Sequence, residues 1–85
     1  MMKSIFITGA SAGIGKATAL LFAGKGWFVG IADVNATGLE ELKKSSGGKI
    51  GFSAIADVTD AEKISSVLKE FYAAAGGRMD VLFNN

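Results

Sequence analysis

The chain has 85 residues, which is room for at most one domain and below the usual domain size of about 100–150 residues. Apolar residues make up 49% of it, enough for a packed core, and its nine basic and eight acidic residues leave a net charge of +1 with no basic run. This balance argues against nucleic acid or a membrane surface as a partner. Cysteine and histidine are both absent, which excludes disulfides and Cys-ligated metals and leaves almost no ligands for a zinc or non-haem iron site.

The first residues show no export or membrane signal. Only three apolar residues, 5–7, follow Lys3 before a polar residue and a glycine. A signal peptide needs an apolar stretch of roughly 7–15 residues, and a membrane span needs about 20. We therefore expect a cytoplasmic protein.

Four short apolar segments are predicted to form strands. Consecutive apolar residues are typical of parallel strands that are covered on both faces. The segments are Ser4–Thr8, 28–32, 50–56 and 81–83.

Two helices are predicted between the first three strands. The first spans about residues 13–23 and ends at Gly24 and Gly26. Its predicted inward-facing residues are Ile14, Ala17, Leu20, Leu21 and Phe22. The second begins near Asn35, a favourable N-cap residue, buries Leu39 and Leu42, and ends at residues 47–48.

The third helix has the clearest pattern. Thr59 and Glu62 have the spacing of a capping box, and two glycines at 76–77 end the helix. Its apolar residues recur at helical spacing: Ile64, Val67, Leu68, Phe71, Tyr72 and Ala75. The predicted element order is therefore βαβαβαβ, which favours an α/β fold with a parallel sheet and right-handed crossovers.

A glycine-rich turn, TGASAGIG at residues 8–15, connects the first strand to the first helix. A phosphate-binding turn needs a tight reversal, close approach of its backbone to the pyrophosphate, and close packing of the helix on the strand. Gly9, Gly13 and Gly15 can meet these three needs, and the helix N-terminus offers free N–H groups to the phosphates. The alternative is a tight connection that binds nothing. The position between a strand and a helix favours the dinucleotide site.

A P-loop is the competing motif, because Gly15 and Lys16 resemble its end. Its consensus, G-x-x-x-x-G-K-[ST], places a glycine where this chain has Ala10 and a Ser or Thr where it has Ala17. The chain does not match the P-loop consensus at two defining positions, so we reject the hypothesis of a nucleoside triphosphatase.

Asp33 ends the second strand, twenty positions after Gly13. An acid at this place hydrogen-bonds the hydroxyls of the adenosine ribose. The alternative is a charge or cap for the following helix. A 2′-phosphate about 4 Å from this carboxylate would be repelled by roughly 4 kcal/mol at an effective dielectric of 20, and the adjacent positions hold Ala12 and Val34 instead of a basic residue. The sequence therefore predicts NAD in preference to NADP.

These features resemble the short-chain dehydrogenase/reductase family. The turn at 8–15 is similar to the family's TGxxxGIG signature, Asp57-Val58 to its acidic-aliphatic pair, and Asn84-Asn85 to the start of its NNAG motif. The resemblance spans essentially the whole chain. It implies a Rossmann-like sheet with strand order 3-2-1-4, the first half of a doubly wound fold that is incomplete at its C-terminal end. Taken singly, Asp57 is also consistent with a helix cap, and the two asparagines with a chance turn.

The resemblance also implies roles for individual positions. The turn would line the pyrophosphate and ribose, Asp33 would bind the adenosine ribose, Asp57 and the Val58 backbone would contact the adenine, and the two asparagines would lie beside the ribose. The full set of expected cofactor-binding residues is Gly9, Ser11, Ala12, Gly13, Ile14, Gly15, Asp33, Val34, Asp57, Val58, Asn84 and Asn85.

The resemblance implies an enzyme that interconverts an alcohol and a carbonyl of a small-molecule substrate by hydride transfer to or from NAD. Such enzymes use a downstream Ser and a Tyr-x-x-x-Lys, which this chain lacks: Tyr72 is its one tyrosine, and Gly76 stands four positions later. We expect Tyr72 to be a core residue and the chain alone to be inactive. The rival hypothesis is a non-catalytic dinucleotide-binding or assembly module. Because residues 81–83 would form an uncovered edge strand, we also expect self-association.

Overall fold

The computed structural model describes residues 2–85, in which strands and helices alternate as the sequence predicts. The elements are β1 (Ser4–Thr8), α1 (Gly13–Gly24), β2 (Phe28–Asp33), α2 (Ala36–Ser45), β3 (Ile50–Ile55), α3 (Ala61–Ala74) and β4 (Val81–Asn84). The strand boundaries move by one residue at most: β2 ends at Asp33 as expected, Asn84 joins β4, and Ala56 lies just beyond β3. None of these helices is long and apolar enough to cross a membrane.

The four strands form one parallel sheet in the order β3-β2-β1-β4, which confirms the Rossmann-like fold. All five residues of β1 are buried, since this strand has a neighbour on each side. The chain moves from β1 through β2 to β3 in one direction, and β4 lies on the opposite side of β1. In open α/β sheets, ligands bind beyond the carboxyl ends of the strands where the order reverses, here between β1 and β4.

Alternate residues of the strands face two separate apolar cores. On one face, Ile5 and Ile7 of β1 and Ile31 of β2 pack against α1 and α2. On the other face, Phe6 of β1 packs against α3, whose Phe71 side chain is fully buried. The helices on both faces explain why the strands are apolar on consecutive positions.

The predicted inward face of α1 is correct only for Leu20 and Phe22. The helix contacts the sheet through three small buried residues four positions apart: Gly15, Ala19 and Ala23. Leu20 and Phe22 are partly buried at the margin of this face, whereas Ile14, Ala17 and Leu21 are exposed, with 69% of Ile14 and 55% of Leu21 accessible. The prediction placed the large apolar residues of α1 toward the sheet. The helix lies so close to β1 that only small side chains fit between them.

Two predictions for α3 are also wrong. The N-cap is Asp60, whose carboxylate accepts from the Lys63 amide at 3.1 Å, so Thr59 and Glu62 form no capping box. The Thr59 hydroxyl donates to Asp57 Oδ1 at 2.8 Å, and Thr59 lies one residue before the cap. Tyr72 is 50% exposed and not a core residue, because it lies one position beyond the buried Phe71 and faces away from the sheet.

Polar contacts join the starts of β1 and β4. The Ser4 amide donates to Asp80 Oδ2 at 2.8 Å, and the Asp80 amide donates back to the Ser4 carbonyl at 3.0 Å. The Ser4 hydroxyl donates to the Arg78 carbonyl, and Arg78 Nε donates to both Asp80 carboxylate oxygens. This cluster fixes β4 beside β1 at the amino ends of the strands.

Candidate functional site

A cleft of about 170 Å³ lies at the carboxyl ends of the strands. Its walls come from the turn after β1, the end of β2, the segment after β3 and the end of the chain. The lining residues are Gly9, Asp33, Val34, Ala56, Asp57, Val58 and Asn85. Six of these seven are sequence-predicted site residues. Since whole ligand pockets measure about 300–1,000 Å³, the cleft is large enough for only part of a dinucleotide.

The glycine turn has the backbone geometry that its sequence suggested. Gly9 and Gly13 have φ angles of 62° and 59°, in the left-handed region that favours glycine. A Cβ on Gly13 would meet no atom within 4 Å, so this part of the turn faces open space. A Cβ on Gly15 would lie 2.4 Å from the Gly9 carbonyl oxygen. Only glycine therefore lets α1 approach the end of β1 this closely.

The N-terminus of α1 has no side-chain cap, unlike the N-termini of α2 and α3. Asn35 caps α2 and Asp60 caps α3 through side-chain oxygens, whereas Ala12 at the start of α1 offers none. The first turn of α1 also contains no acidic residue. Its first N–H groups and the positive end of its dipole are therefore open to an anion outside the turn.

Asp33 links the end of β2 to the glycine turn. Its Oδ2 accepts from the Ser11 amide at 3.0 Å and from the Ser11 hydroxyl at 2.7 Å, and its Oδ1 accepts from the Asn35 amide at 3.1 Å. Partial burial raises the pKa of the Asp33 carboxyl, but the hydrogen bonds from Ser11, Asn35 and Val34 outweigh it and hold the pKa below its ordinary value. The carboxylate is therefore charged at neutral pH at the wall of the cleft.

Asp57 and Val58 form the opposite wall, after β3. The Thr59 amide and hydroxyl both donate to Asp57 Oδ1, and these bonds hold the pKa of Asp57 below its ordinary value. Asp57 remains exposed, and half of the Val58 side chain is accessible. Ala56, which the sequence assigned to the strand and not to the site, donates its amide to the Asp33 carbonyl at 3.1 Å and so joins the two walls.

Asn85, just after β4, completes the cleft, and Asn84 lies beside it at the end of the strand. The Thr8 hydroxyl donates to Asn84 Oδ1 at 2.9 Å and accepts from the Asn85 amide at 3.2 Å. The Asn85 side chain donates to the Gly9 carbonyl at 3.2 Å. The two asparagines therefore connect the ends of β1 and β4, and Thr8 is a partner that the sequence did not single out.

The other predicted site residues lie beside the cleft and not in its wall. Ala12, Gly13 and Ile14 are exposed at the start of α1, and the Ser11 side chain is directed at Asp33. A larger groove of about 760 Å³ runs along the outer side of α3 from Val58 to Tyr72, but its lining is mostly apolar and contains no carboxylate. The described residues contain no cluster of three or more acidic side chains that could hold a metal ion.

Comparisons with known proteins agree with this arrangement. The family model for short chain dehydrogenase matches residues 3–85. The 3-oxoacyl-[acyl-carrier-protein] reductase FabG of Thermotoga maritima is 41% identical over 85 residues, covering 98% of this chain and 34% of that protein. The 7alpha-hydroxysteroid dehydrogenase of Escherichia coli is 36% identical over 87 residues, covering 98% of this chain and 33% of that protein.

Solved structures show the same relationship. A short chain dehydrogenase from Bacillus anthracis superimposes with a TM-score of 0.88 at 34% identity, over 98% of this chain and 34% of its own. YwfH, an NADPH dependent reductase involved in bacilysin biosynthesis, superimposes with a TM-score of 0.89 at 29% identity, over 100% of this chain and 35% of its own. This chain thus spans about a third of the length of the relatives that it matches. The match to the family model over nearly all of its residues shows that the chain belongs to the short chain dehydrogenase family.

Proposed function

We propose that this chain binds the adenosine half of NAD(H) and serves as the cofactor-binding part of an oxidoreductase. The observation that carries the proposal is the cleft at the point where the strand order reverses, lined by Gly9, Asp33, Asp57, Val58 and Asn85. These residues come from three different strand ends and the glycine turn. Open α/β sheets bind dinucleotides at this place.

The residues of the chain fit the cofactor in three parts. The pyrophosphate would lie against the turn at Gly13 and the uncapped start of α1, where backbone N–H groups and the helix dipole favour an anion. The adenosine ribose would donate to the Asp33 carboxylate. The adenine would lie in the cleft between Val34 and Val58, with Asp57 available to accept from its amino group.

Asp33 favours NAD over NADP in this proposal. Its carboxylate is ionised at the wall of the cleft, and no lysine or arginine is among the residues that line the cleft. A 2′-phosphate would lose its solvation beside a like charge without a compensating cation. The NADPH dependence of YwfH belongs to that relative; position 33 is where we expect this chain to differ from an NADP-binding site.

The proposed reaction is the interconversion of an alcohol and a carbonyl on a small-molecule substrate. The bound nicotinamide would supply or accept the hydride, and the residues of the cleft and the glycine turn would hold the cofactor and orient it across the ends of β1 and β4. We propose that the groups for proton transfer and substrate binding belong to the part of the relatives' length that this chain does not span. The chain alone is then a cofactor-binding unit without turnover.

Isothermal titration calorimetry with NAD and NADP tests this function. We expect NAD to bind more tightly than NADP, and Asp33→Asn to reduce the ratio of the two dissociation constants by about tenfold or more, because the neutral amide removes the charge repulsion. Glu41→Gln, which neutralises an exposed carboxylate on α2, is the matched control and should leave the ratio unchanged. Absence of NAD binding, or equal ratios in wild type and Asp33→Asn, would contradict the proposal.

A further inference from the structure

The Ser11 side chain contacts Asp33 from outside the wall of the cleft. Its hydroxyl and amide both donate to Asp33 Oδ2, at 2.7 Å and 3.0 Å, and it is not among the residues that line the cleft. Asp33 itself is in the wall. The Ser11 side chain thus contacts the carboxylate without itself lining the cleft.

The hydrogen bonds leave the Asp33 carboxylate with limited accepting capacity. A carboxylate has about four lone-pair positions, two on each oxygen. The Ser11 amide and hydroxyl occupy both positions on Oδ2, and the Asn35 amide occupies one on Oδ1. Ser11 leaves no free position on Oδ2, so a hydroxyl in the cleft has to donate to Oδ1, and the orientation imposed by Ser11 decides which oxygen that is.

Gly38 in the first turn of α2 makes this position of Ser11 possible. A Cβ at position 38 would lie 2.6 Å from Ser11 Cβ, closer than real side-chain contacts allow. Glycine is a poorer helix former than alanine, and the close approach of Ser11 is a packing reason for its presence in the first turn of α2. The absent side chain lets the start of α2 pack directly on the glycine turn.

We infer that Ser11 and Gly38 form a positioning pair for Asp33, in which Gly38 makes room for Ser11 and the Ser11 hydroxyl orients the carboxylate toward the adenosine ribose. This inference rests on the proposed NAD binding and adds to it the claim that Ser11 acts through Asp33 and not by direct contact with the cofactor. The pair lies on two different elements, the turn after β1 and the first turn of α2. Ser11 is a positioning residue, not a catalytic one.

A double-mutant cycle on NAD affinity separates the indirect role from direct contact. We expect Ser11→Ala to weaken NAD binding by about five- to tenfold in the wild-type background and to have little further effect in an Asp33→Ala background, because coupled residues are not additive. Equal losses in the two backgrounds would show that Ser11 contacts the cofactor itself, and would overturn the inference.

A second measurement needs no cofactor. The pKa of the Asp33 carboxyl, followed by carbon NMR in the ligand-free chain, should rise in Ser11→Ala and in Gly38→Ala. The control is Gly24→Ala, at a helical glycine around which a Cβ would meet nothing within 4 Å, and it should leave the pKa of Asp33 unchanged. An unchanged pKa in Ser11→Ala would overturn the positioning role. If the wild-type chain binds no NAD, the proposed function fails, while this titration still decides whether Ser11 orients Asp33.

Discussion

Gly30 and Phe71 occupy complementary space in the core on the α3 side of the sheet. A Cβ on Gly30 would lie 2.4 Å from Phe71 Cδ1 and 2.9 Å from Phe6 Cδ1, so the two rings fill the volume that a side chain at position 30 would need. The Phe6 and Phe71 ring centroids are 5.1 Å apart and their planes are inclined by 58°. Close packing of α3 on the sheet therefore depends on the absence of a side chain in the middle of β2.

The first prediction follows from this contact. Gly30→Ala should lower the free energy of unfolding by about 1–3 kcal/mol, the usual effect of overpacking a tight core, as measured by urea denaturation. In a Phe71→Leu background the same change should have a smaller effect, because the ring atoms that clash with the new methyl group are gone. An equal loss in both backgrounds would show that the ring is not the cause.

The second prediction concerns Gly15, where α1 meets the end of β1. Gly15→Ala places a methyl group 2.4 Å from the Gly9 carbonyl oxygen and 2.9 Å from Asn85 Nδ2, so α1 must shift away from the cleft. We expect NAD affinity to fall by at least about tenfold, because the shift of α1 displaces both the glycine turn and the contact of Asn85 with that turn. Gly24→Ala at the other end of the same helix is the matched control in calorimetric titration. A Gly15→Ala chain that binds NAD as the wild type does would contradict this role for the close approach.

Much of the architecture could be predicted from the sequence, because strand apolarity and helix periodicity both reflect burial against the sheet. The element order and the strand order agree with the prediction, and six of the seven residues that line the cleft are among those expected to bind the cofactor, a role that stays a prediction. Asp33 was identifiable because an acidic residue at the end of the second apolar strand lies at the carboxyl edge of a parallel sheet, and Asp57 was identifiable from its resemblance to the family's acidic-aliphatic pair.

The remaining features depend on contacts between distant segments. The inward face of α1 consists of small residues, and no hydrophobicity pattern distinguishes Ala19 from the exposed Ala17. Asp60 and not Thr59 caps α3: the Asp60 side chain accepts from the Lys63 amide, while the Thr59 hydroxyl contacts Asp57. Gly38 was detectable only as an unfavourable residue in a helix, and its reason, the approach of Ser11, becomes visible once the two elements are together.

The third prediction is a pH dependence of stability from the cluster at the start of β4. Hydrogen bonds from Arg78 and from the Ser4 amide hold the pKa of Asp80 below its ordinary value of 3.8. A carboxyl whose pKa is depressed in the folded state stabilises the fold fully above its unfolded-state pKa, and this contribution is lost as pH falls through the lower folded-state pKa. Stability should therefore decline on acidification below about pH 4.

Urea denaturation at several pH values between about 2 and 7 would measure this effect. Asp80→Asn should be less stable than the wild type at neutral pH and should lose less stability on acidification, because its side chain does not titrate. The variant should retain the acid dependence that comes from Asp33 and Asp57, whose pKa values are lowered in the same direction. Glu41→Gln is the control for the removal of one carboxyl group. Parallel pH profiles of the wild type and Asp80→Asn would exclude the cluster as a source of stability.

The fourth prediction concerns the outer edge of β4. Within residues 2–85 this strand pairs only with β1, so the backbone groups of its other edge have no strand partner. Leu82 is 48% exposed, and its register partner Phe6 faces α3, so Leu82 lies on the α3 side of this edge. An unpaired edge beside exposed apolar side chains is a template for pairing with another chain, and a lysine on such a strand blocks it.

We expect the 85-residue polypeptide to associate with increasing concentration in sedimentation velocity, and Leu82→Lys to shift it toward monomer. Leu21→Lys, at a similarly exposed leucine on α1, adds the same charge away from any strand edge and should leave the association unchanged. A wild-type chain that is monomeric at every concentration, or equal effects of the two lysines, would show that this edge does not drive self-association.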